Sequence, residues 1–278
     1  MQTNTPPPKR TRLTRRGRVA LVATGAVVAV TAVAAPLMIL QSAEGGGAFL
    51  VIPEGWRAGQ IYTAVDKALR LPPGSTKKSL AKARLQLPGE AQGNPEGYLF
   101  PATYPIDEEA TPQSLLRYMV NTANKRFSGV AVAAGAQRHA MSGYQAVTVA
   151  SIVQSEAATP ADMRKVARVV FNRLERGMPL QMDSTLNYAM KRFTLNTTIA
   201  DTNIDSLYNS YQRMGLPPTP IANPGEEAMR AVLNPTPGDW LYFVTVKPGD
   251  TRFTGSYEEQ QRNVSEFNRL RGSASLSP

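Results

Sequence analysis

Cysteine is absent from the sequence, histidine occurs once and tryptophan twice. The first absence removes disulfides, thiol nucleophiles and thiolate-held zinc together, while leaving the compartment open. His139, beside Arg138, is the lone imidazole. One histidine builds neither a metal site nor a nucleophile triad, and Ser151 and Ser155 have none at a workable spacing. No His-x-x-x-His pair or cluster of carboxylates offers ligands to a metal, and no cofactor is expected. Acids are missing from residues 1–18, which hold Lys9, Arg10, Arg12, Arg15, Arg16 and Arg18. Taking those six from the formal net charge of +10 leaves +4 on the rest. A nucleic-acid binder keeps its charge on the folded domain, so nucleic acid is not an expected partner. A mildly basic domain suits an anionic polymer.

What is present begins with a charge-free run of 22 residues, Val19 to Leu40. As a helix it is about 33 Å long, enough for the hydrocarbon core of a bilayer. The basic block precedes it, so positive-inside bias puts residues 1–18 in the cytoplasm and residues 45–278 outside. A cleaved signal peptide is the competing reading, since Val33-Ala34-Ala35 has small residues of the right kind. Pro36 directly after that site and the length of the run favour a retained single-pass anchor. A buried core helix does not explain the polybasic flank.

Residues 41–48, with Gly45-Gly46-Gly47, read as a linker. Phe49 to Ile52 reads as a strand, Pro53-Glu54-Gly55 as a turn, and Gln60 to Leu71 as a helix. Leu71 to Tyr104, rich in Pro and Gly, reads as loops around a short helix near Lys77–Leu85. Helical spacing returns over Gln113–Arg126 and Tyr144–Glu156. Thr159-Pro160-Ala161-Asp162 supplies an N-cap, Pro at N1 and an acid at N3. The helix it starts carries Met163, Val166, Ala167, Val170, Phe171 and Leu174 on one face, with Gly177 as a stop. Asn223-Pro224-Gly225-Glu226 starts another helix to about Leu233. Trp240 to Val246 reads as a strand pairing with Thr251–Thr254, and a last helix spans about Tyr257–Leu270. Strands at both ends with helices between them predict an α+β fold.

Glu156 is the principal candidate. Val149, Ile152 and Glu156 fall three and four apart, which places a carboxylate on an apolar stripe. Desolvation there raises a carboxyl pKa, as a general acid near neutral pH requires. An ion pair with Arg164 or Arg168 explains the same spacing, and periodicity alone does not choose.

Longer segments do. Glu96-Gly97-Tyr98-Leu99-Phe100-Pro101-Ala102-Thr103-Tyr104 resembles the EGYLFPDTY segment of the YceG-like family of endolytic murein transglycosylases. Ala150–Glu156 resembles its ASIVEKE segment, whose second glutamate, the catalytic one, falls on Glu156. Phe171-Asn172-Arg173-Leu174, Gly177-Met178 and Leu180–Thr185 resemble FxNRLxxGMxLQxDPT. Tyr208–Tyr211 and Gly215–Gly225 resemble YNTY…GLPPxPIxNPG, and Leu241–Val244 resembles YLYFV. The resemblance covers about residues 49–270. It departs at Gln154 (usually Glu), Ala102 (usually Asp) and Gln260 (often His), and the module between anchor and first strand is nearly absent.

The resemblance implies a small α/β LysM-like remnant over 49–95, a catalytic domain over 96–272 and a tail at 273–278. It implies non-hydrolytic cleavage of the MurNAc-β-1,4-GlcNAc bond to 1,6-anhydro ends at the outer face of a bacterial cytoplasmic membrane. Peptidoglycan strands are then the substrate and peptidoglycan synthases the expected partners. One glutamate suffices because the sugar supplies its own nucleophile. Gln181 and Asp183 are candidates to hold the N-acetyl group or orient Glu156, with turn chemistry as the alternative. Tyr98, Tyr208 and Tyr211 are candidates to stack on sugar rings, with core packing as the alternative. Asn209 either binds an acetamido group or caps a turn, and Asn223 reads as a helix N-cap. The rivals are a hydrolytic muramidase using Asp183 as second carboxylate and a non-catalytic peptidoglycan-binding scaffold.

Overall fold

The structure, a computed structural model, describes residues 39–41, 48–127, 129–194 and 197–274. Most of the expected membrane helix, residues 19–38, lies outside the described residues. The last two residues of that run, Ile39 and Leu40, lie in a strand, so the helix does not reach its expected end. Among the described residues, no helix is long and apolar enough to cross a membrane.

The N-terminal part is an antiparallel three-stranded sheet, β1 (Ile39–Gln41), β2 (Ala48–Val51) and β3 (Thr103–Ile106), with β2 central. Leu50 pairs with Tyr104, and both are buried. Between β2 and β3 run α1 (Ala58–Ala68) and α2 (Ser75–Ala83). Asp66 near the end of α1 ties their junction. Its carboxylate accepts the Gly74 N–H at 2.7 Å, the Thr76 N–H at 2.7 Å and the Thr76 hydroxyl at 2.6 Å. Burial works to raise its pKa, but the bonds from Thr76 and Gly74 outweigh burial and hold it below the usual range. Asp66→Asn is expected to cost about 2 kcal/mol in urea unfolding at pH 7. Because the folded-state pKa is depressed, that difference is full above the unfolded pKa and shrinks as pH falls through the folded one.

The centre is helical: α3 (Pro112–Phe127), α4 (Val130–Arg138), α5 (Gly143–Glu156), α6 (Pro160–Glu175), α7 (Asp183–Ala189) and α8 (Glu226–Leu233). The Ser142/Gln145 capping box starts α5, and Thr159 with Pro160 starts α6 as the sequence predicts. Helix α5 packs against α4, α6, α7 and α8, so Ala146, Val147, Val149, Ala150, Ile152 and Val153 are all buried. A hairpin of β4 (Tyr242–Lys247) and β5 (Asp250–Thr254), covered by α9 (Tyr257–Ala274), completes an α+β fold.

The sequence missed β1, β3, α4 and α7. A single core contains Leu50 and Ile61 together with Leu99, Val149 and Phe243, so residues before and after position 96 are packed as one. Gly97, at φ +85°, is required there: a Cβ would sit 2.6 Å from the Pro220 ring.

Candidate active site

Glu156 is the last residue of α5 and is 2% exposed. Burial raises its carboxyl pKa to about 8; hydrogen bonding from Ser184 offsets part of that rise, and the neighbouring Asp183 adds a lesser increase. The negative end of α5 works in the same direction. No Lys or Arg forms an ion pair with it among the described residues, so the ion-pair reading fails: Arg168 donates instead to the Thr236 carbonyl. Burial and the end of α5 thus both favour the protonated carboxyl near neutral pH.

The segment after α6 is folded back onto this carboxyl. Gln181, at φ +53°, turns the chain, and its N–H donates to the Ser210 carbonyl at 2.9 Å. The Met182 N–H donates to the Ser210 hydroxyl at 2.9 Å. Helix α7 then begins, and the Ser184 N–H donates to Glu156 Oε1 at 3.3 Å. Asp183 accepts the Tyr211 hydroxyl at 2.5 Å. Burial raises the pKa of Asp183, and burial followed by Asp183 and then Glu156 raises that of Tyr211.

Beneath the turn lies Arg173, 1% exposed. It donates to the carbonyls of Leu241 (2.6 Å), Pro179 (3.1 Å) and Leu180 (2.8 Å), and to Gln181 Oε1 at 3.1 Å. Burial lowers its pKa to about 10. It thus locks β4 to the turn that brings Asp183 and Ser184 to Glu156. The Gln181 side-chain oxygen is spent on this lock.

Three expectations need correction. Tyr98 is a core residue, 3% exposed, stacked on Tyr144 at 6.0 Å and edge-on to Phe127 at 6.3 Å, so its ring has no face for a sugar. Asn209 is buried, with its Nδ2 on the carbonyls of Thr202 and Ile204 and its Oδ1 taking the Tyr211 N–H. Its amide fixes the loop and leaves nothing for an acetamido group. Asn223 is not a helix cap: Gly225 caps α8, and Asn223 bonds the Leu99 N–H, the Trp56 carbonyl and Glu96. Tyr208 lies apart from Glu156's partners, its hydroxyl 2.8 Å from that of Thr219 and its ring 4.9 Å from Tyr188. His139 is half-buried and stacked on Phe171 at 4.1 Å.

The departures from the family pattern have local explanations. Gln154 accepts the Gly225 N–H at 3.0 Å and so anchors α8. Gln260 donates to the Phe243 carbonyl at 3.1 Å and joins α9 to β4.

Glu96, which nothing in its sequence surroundings marks as a functional group, joins α1 to the centre of the fold. It is buried and accepts the Ala58 N–H (2.9 Å), the Asn223 amide (3.1 Å) and the Tyr188 hydroxyl (3.2 Å). Arg57 lies nearby, 5.2 Å above the Tyr188 ring and 4.1 Å above the exposed Phe193 ring. Burial raises the Glu96 pKa to about 7 despite these donors. A raised acid pKa means that its contribution to stability is complete below the unfolded value of 4.5 and is lost as pH rises through 7. Glu96→Gln is expected to flatten the fall in Tm between pH 5 and 7.5, a prediction checked by scanning calorimetry across that range.

A cleft of about 680 Å³ opens at the other end of α5, between Tyr144, Gln145, Thr148 and the Gly215–Pro218 turn. Thr148 is about 12 Å along the helix from Glu156, so this cleft is distinct from the carboxyl's surroundings.

The fold and site therefore define an α+β protein in which the buried Glu156 carboxyl, at the end of α5, is held against the turn that opens α7. The YceG-like family model matches residues 29–266, and the chain belongs to that family. It is 36% identical over 173 residues to the endolytic murein transglycosylase of Bacillus subtilis, covering 62% of this chain and 48% of that protein. It is 38% identical over 177 residues to the endolytic murein transglycosylase of Streptococcus pneumoniae, covering 62% of this chain and 32% of that one. The matches thus span half or less of these relatives' length. A 2.6 Å crystal structure of a YceG-like protein from Listeria monocytogenes superposes with a TM-score of 0.69 at 29% identity, over 78% of this chain and 75% of that chain.

Proposed function

We propose that this chain is an endolytic peptidoglycan lytic transglycosylase with Glu156 as its acid and base. The observation that carries the proposal is the burial of Glu156, which keeps its carboxyl protonated near neutral pH. The acid gives its proton to the glycosidic oxygen between N-acetylmuramic acid and N-acetylglucosamine, and that bond breaks. The muramic C6 hydroxyl attacks the anomeric carbon and closes the 1,6-anhydro ring. Its proton goes to the Glu156 carboxylate, which restores the acid without water. The printed names of the Bacillus and Streptococcus relatives support this reading.

Asp183 and Tyr211 stand beside Glu156 as a hydrogen-bonded pair and are read as substrate-facing groups, with Gln181 supporting the turn from behind. Tyr208 is read as a more distant sugar contact. Residues 19–38 are read as the membrane anchor, on the strength of the basic block before them, with the remainder outside the cytoplasm. Residues 49–95 are read as a LysM-like remnant, supported by the order β2-α1-α2-β3 with its strands paired, although β3 lies past position 95. Nascent glycan strands are the proposed substrate and peptidoglycan synthases the proposed partners.

The test is mass spectrometry of fragments released from purified peptidoglycan by the detergent-solubilised chain. Anhydro-muramic ends, one water lighter than hydrolytic ends, are expected. Reducing ends would replace this reading with the muramidase, and intact strands, including membrane-attached nascent ones, would replace it with the scaffold.

A further inference from the structure

We infer that Ser184 is a positioning residue for Glu156: its backbone N–H holds Oε1, which leaves Oε2 as the oxygen presented to substrate. The inference deepens the proposed function and rests on Glu156 being its acid/base. The argument starts from what an N–H can do. It only donates, so the oxygen it meets, Oε1 at 3.3 Å, is the unprotonated oxygen of the carboxylic acid. The proton then sits on Oε2, and the acid enters the reaction with one defined oxygen loaded.

The Ser184 hydroxyl is placed for the second half of the cycle. Its Oγ is buried and makes no hydrogen bond of good geometry among the described residues, and Glu156 is the group it acts on, as a donor that favours the charged form. A buried alcohol without a partner is costly, and helix formation does not account for it. Met182, not Ser184, occupies the N-cap of α7, and the bond back to Met182 is made by Thr185 Oγ1 at 2.7 Å. A hydroxyl beside a carboxyl that alternates between acid and carboxylate is a donor that turns toward the oxygen when charge appears.

The other groups facing Glu156 do not offer this. Asp183 is a second acid, and the Tyr211 hydroxyl across the loop is committed to Asp183. Arg173 reaches the turn from below and is spent on carbonyls and Gln181. Among the described residues, Ser184 supplies the donor that Glu156 receives.

Two substitutions separate the contributions. Ser184→Ala removes the hydroxyl and keeps the N–H. Ser184→Pro removes both, at a first-turn position whose N–H has no partner within the helix, and installs the residue that the LQxDPT segment carries there, so the donors tested are particular to this chain. The readout is the titration of the Glu156 carboxyl carbon by carbon-13 NMR in the full chain, assigned by its loss in Glu156→Gln. The wild-type midpoint is expected near 8. Ser184→Ala is expected to raise it, and Ser184→Pro to raise it further, by roughly half a pH unit for each donor lost. The alkaline limb of the cleavage profile should move the same way, with kcat lowered and KM unchanged.

Coincident midpoints in wild type and every variant that keeps its unfolding transition would overturn the inference. If Ser184→Pro does not fold, the Ser184→Ala midpoint decides. The titration needs no turnover, so shifted midpoints in a protein that cuts no glycan would sink the proposed function and leave the positioning role standing.

Discussion

Glu156→Gln is expected to lower glycan cleavage by about 10³-fold or more, since the one carboxyl serves both as the acid and as the base. The substitution is nearly isosteric, and the side chain it replaces is buried and neutral at pH 7, so folding is not at stake. Stability supplies an internal check. The wild-type carboxyl has a raised pKa, so its contribution to stability is complete below 4.5 and is lost as pH rises through about 8. An amide does not ionise. The variant is therefore expected to overtake the wild type in Tm as pH climbs from 7 to 9 while remaining inactive throughout. A variant that is inactive because it is unfolded would show the opposite, with a lower Tm at every pH.

Arg173→Met is expected to destabilise the protein by about 3–5 kcal/mol, lowering Tm by roughly 10 °C. Methionine fills much of the volume, but four oxygens lose their donor: the carbonyls of Leu241, Pro179 and Leu180, and the Gln181 side chain. Each is in or beside a buried segment where water does not replace the guanidinium. The same change releases the turn that carries Asp183 and Ser184, so activity is expected to fall more than the loss of folded protein explains. Arg173→Lys keeps the charge but not the planar fork, and an intermediate loss is expected. Urea unfolding at pH 7 checks both variants, and a cost below about 1 kcal/mol for methionine would show that the lock is dispensable.

Glu156 and Arg173 show what the sequence made legible. Each is a charged residue on an apolar helical stripe, Glu156 after Val149 and Ile152, Arg173 after Val166 and Val170. The same spacing that marks Glu156 as a site marks Arg173 as a buried charge. The burial of Glu156 followed from its spacing because α5 is covered by helices on several sides. Thr159-Pro160 and the β4–β5 hairpin were legible because caps and turns are local chemistry.

The rest was written at longer range. Whether Tyr98 faces sugar or core depends on Tyr144 and Phe127, distant in sequence. Asn209 looks like any polar loop residue until Thr202 and Ile204 present their carbonyls to it. Helix α7 is too short for periodicity to declare it, and its packing against α5 is what forms it. Ser184 is not legible in the sequence because the turn that brings it to Glu156 is set by distant residues, Ser210 among them, and one of its two donors is a backbone N–H.

The central claim is that one carboxyl suffices because the sugar, not water, is the nucleophile. The most direct measurement is cleavage of purified peptidoglycan by the solubilised full chain in water labelled with heavy oxygen, with the released muramic ends weighed. The account predicts anhydro ends carrying no label, formed by wild type and not by Glu156→Gln. Label in the muramic ends, lost equally on replacing Glu156 or Asp183, would contradict it, because water would then be the nucleophile and Asp183 its partner acid.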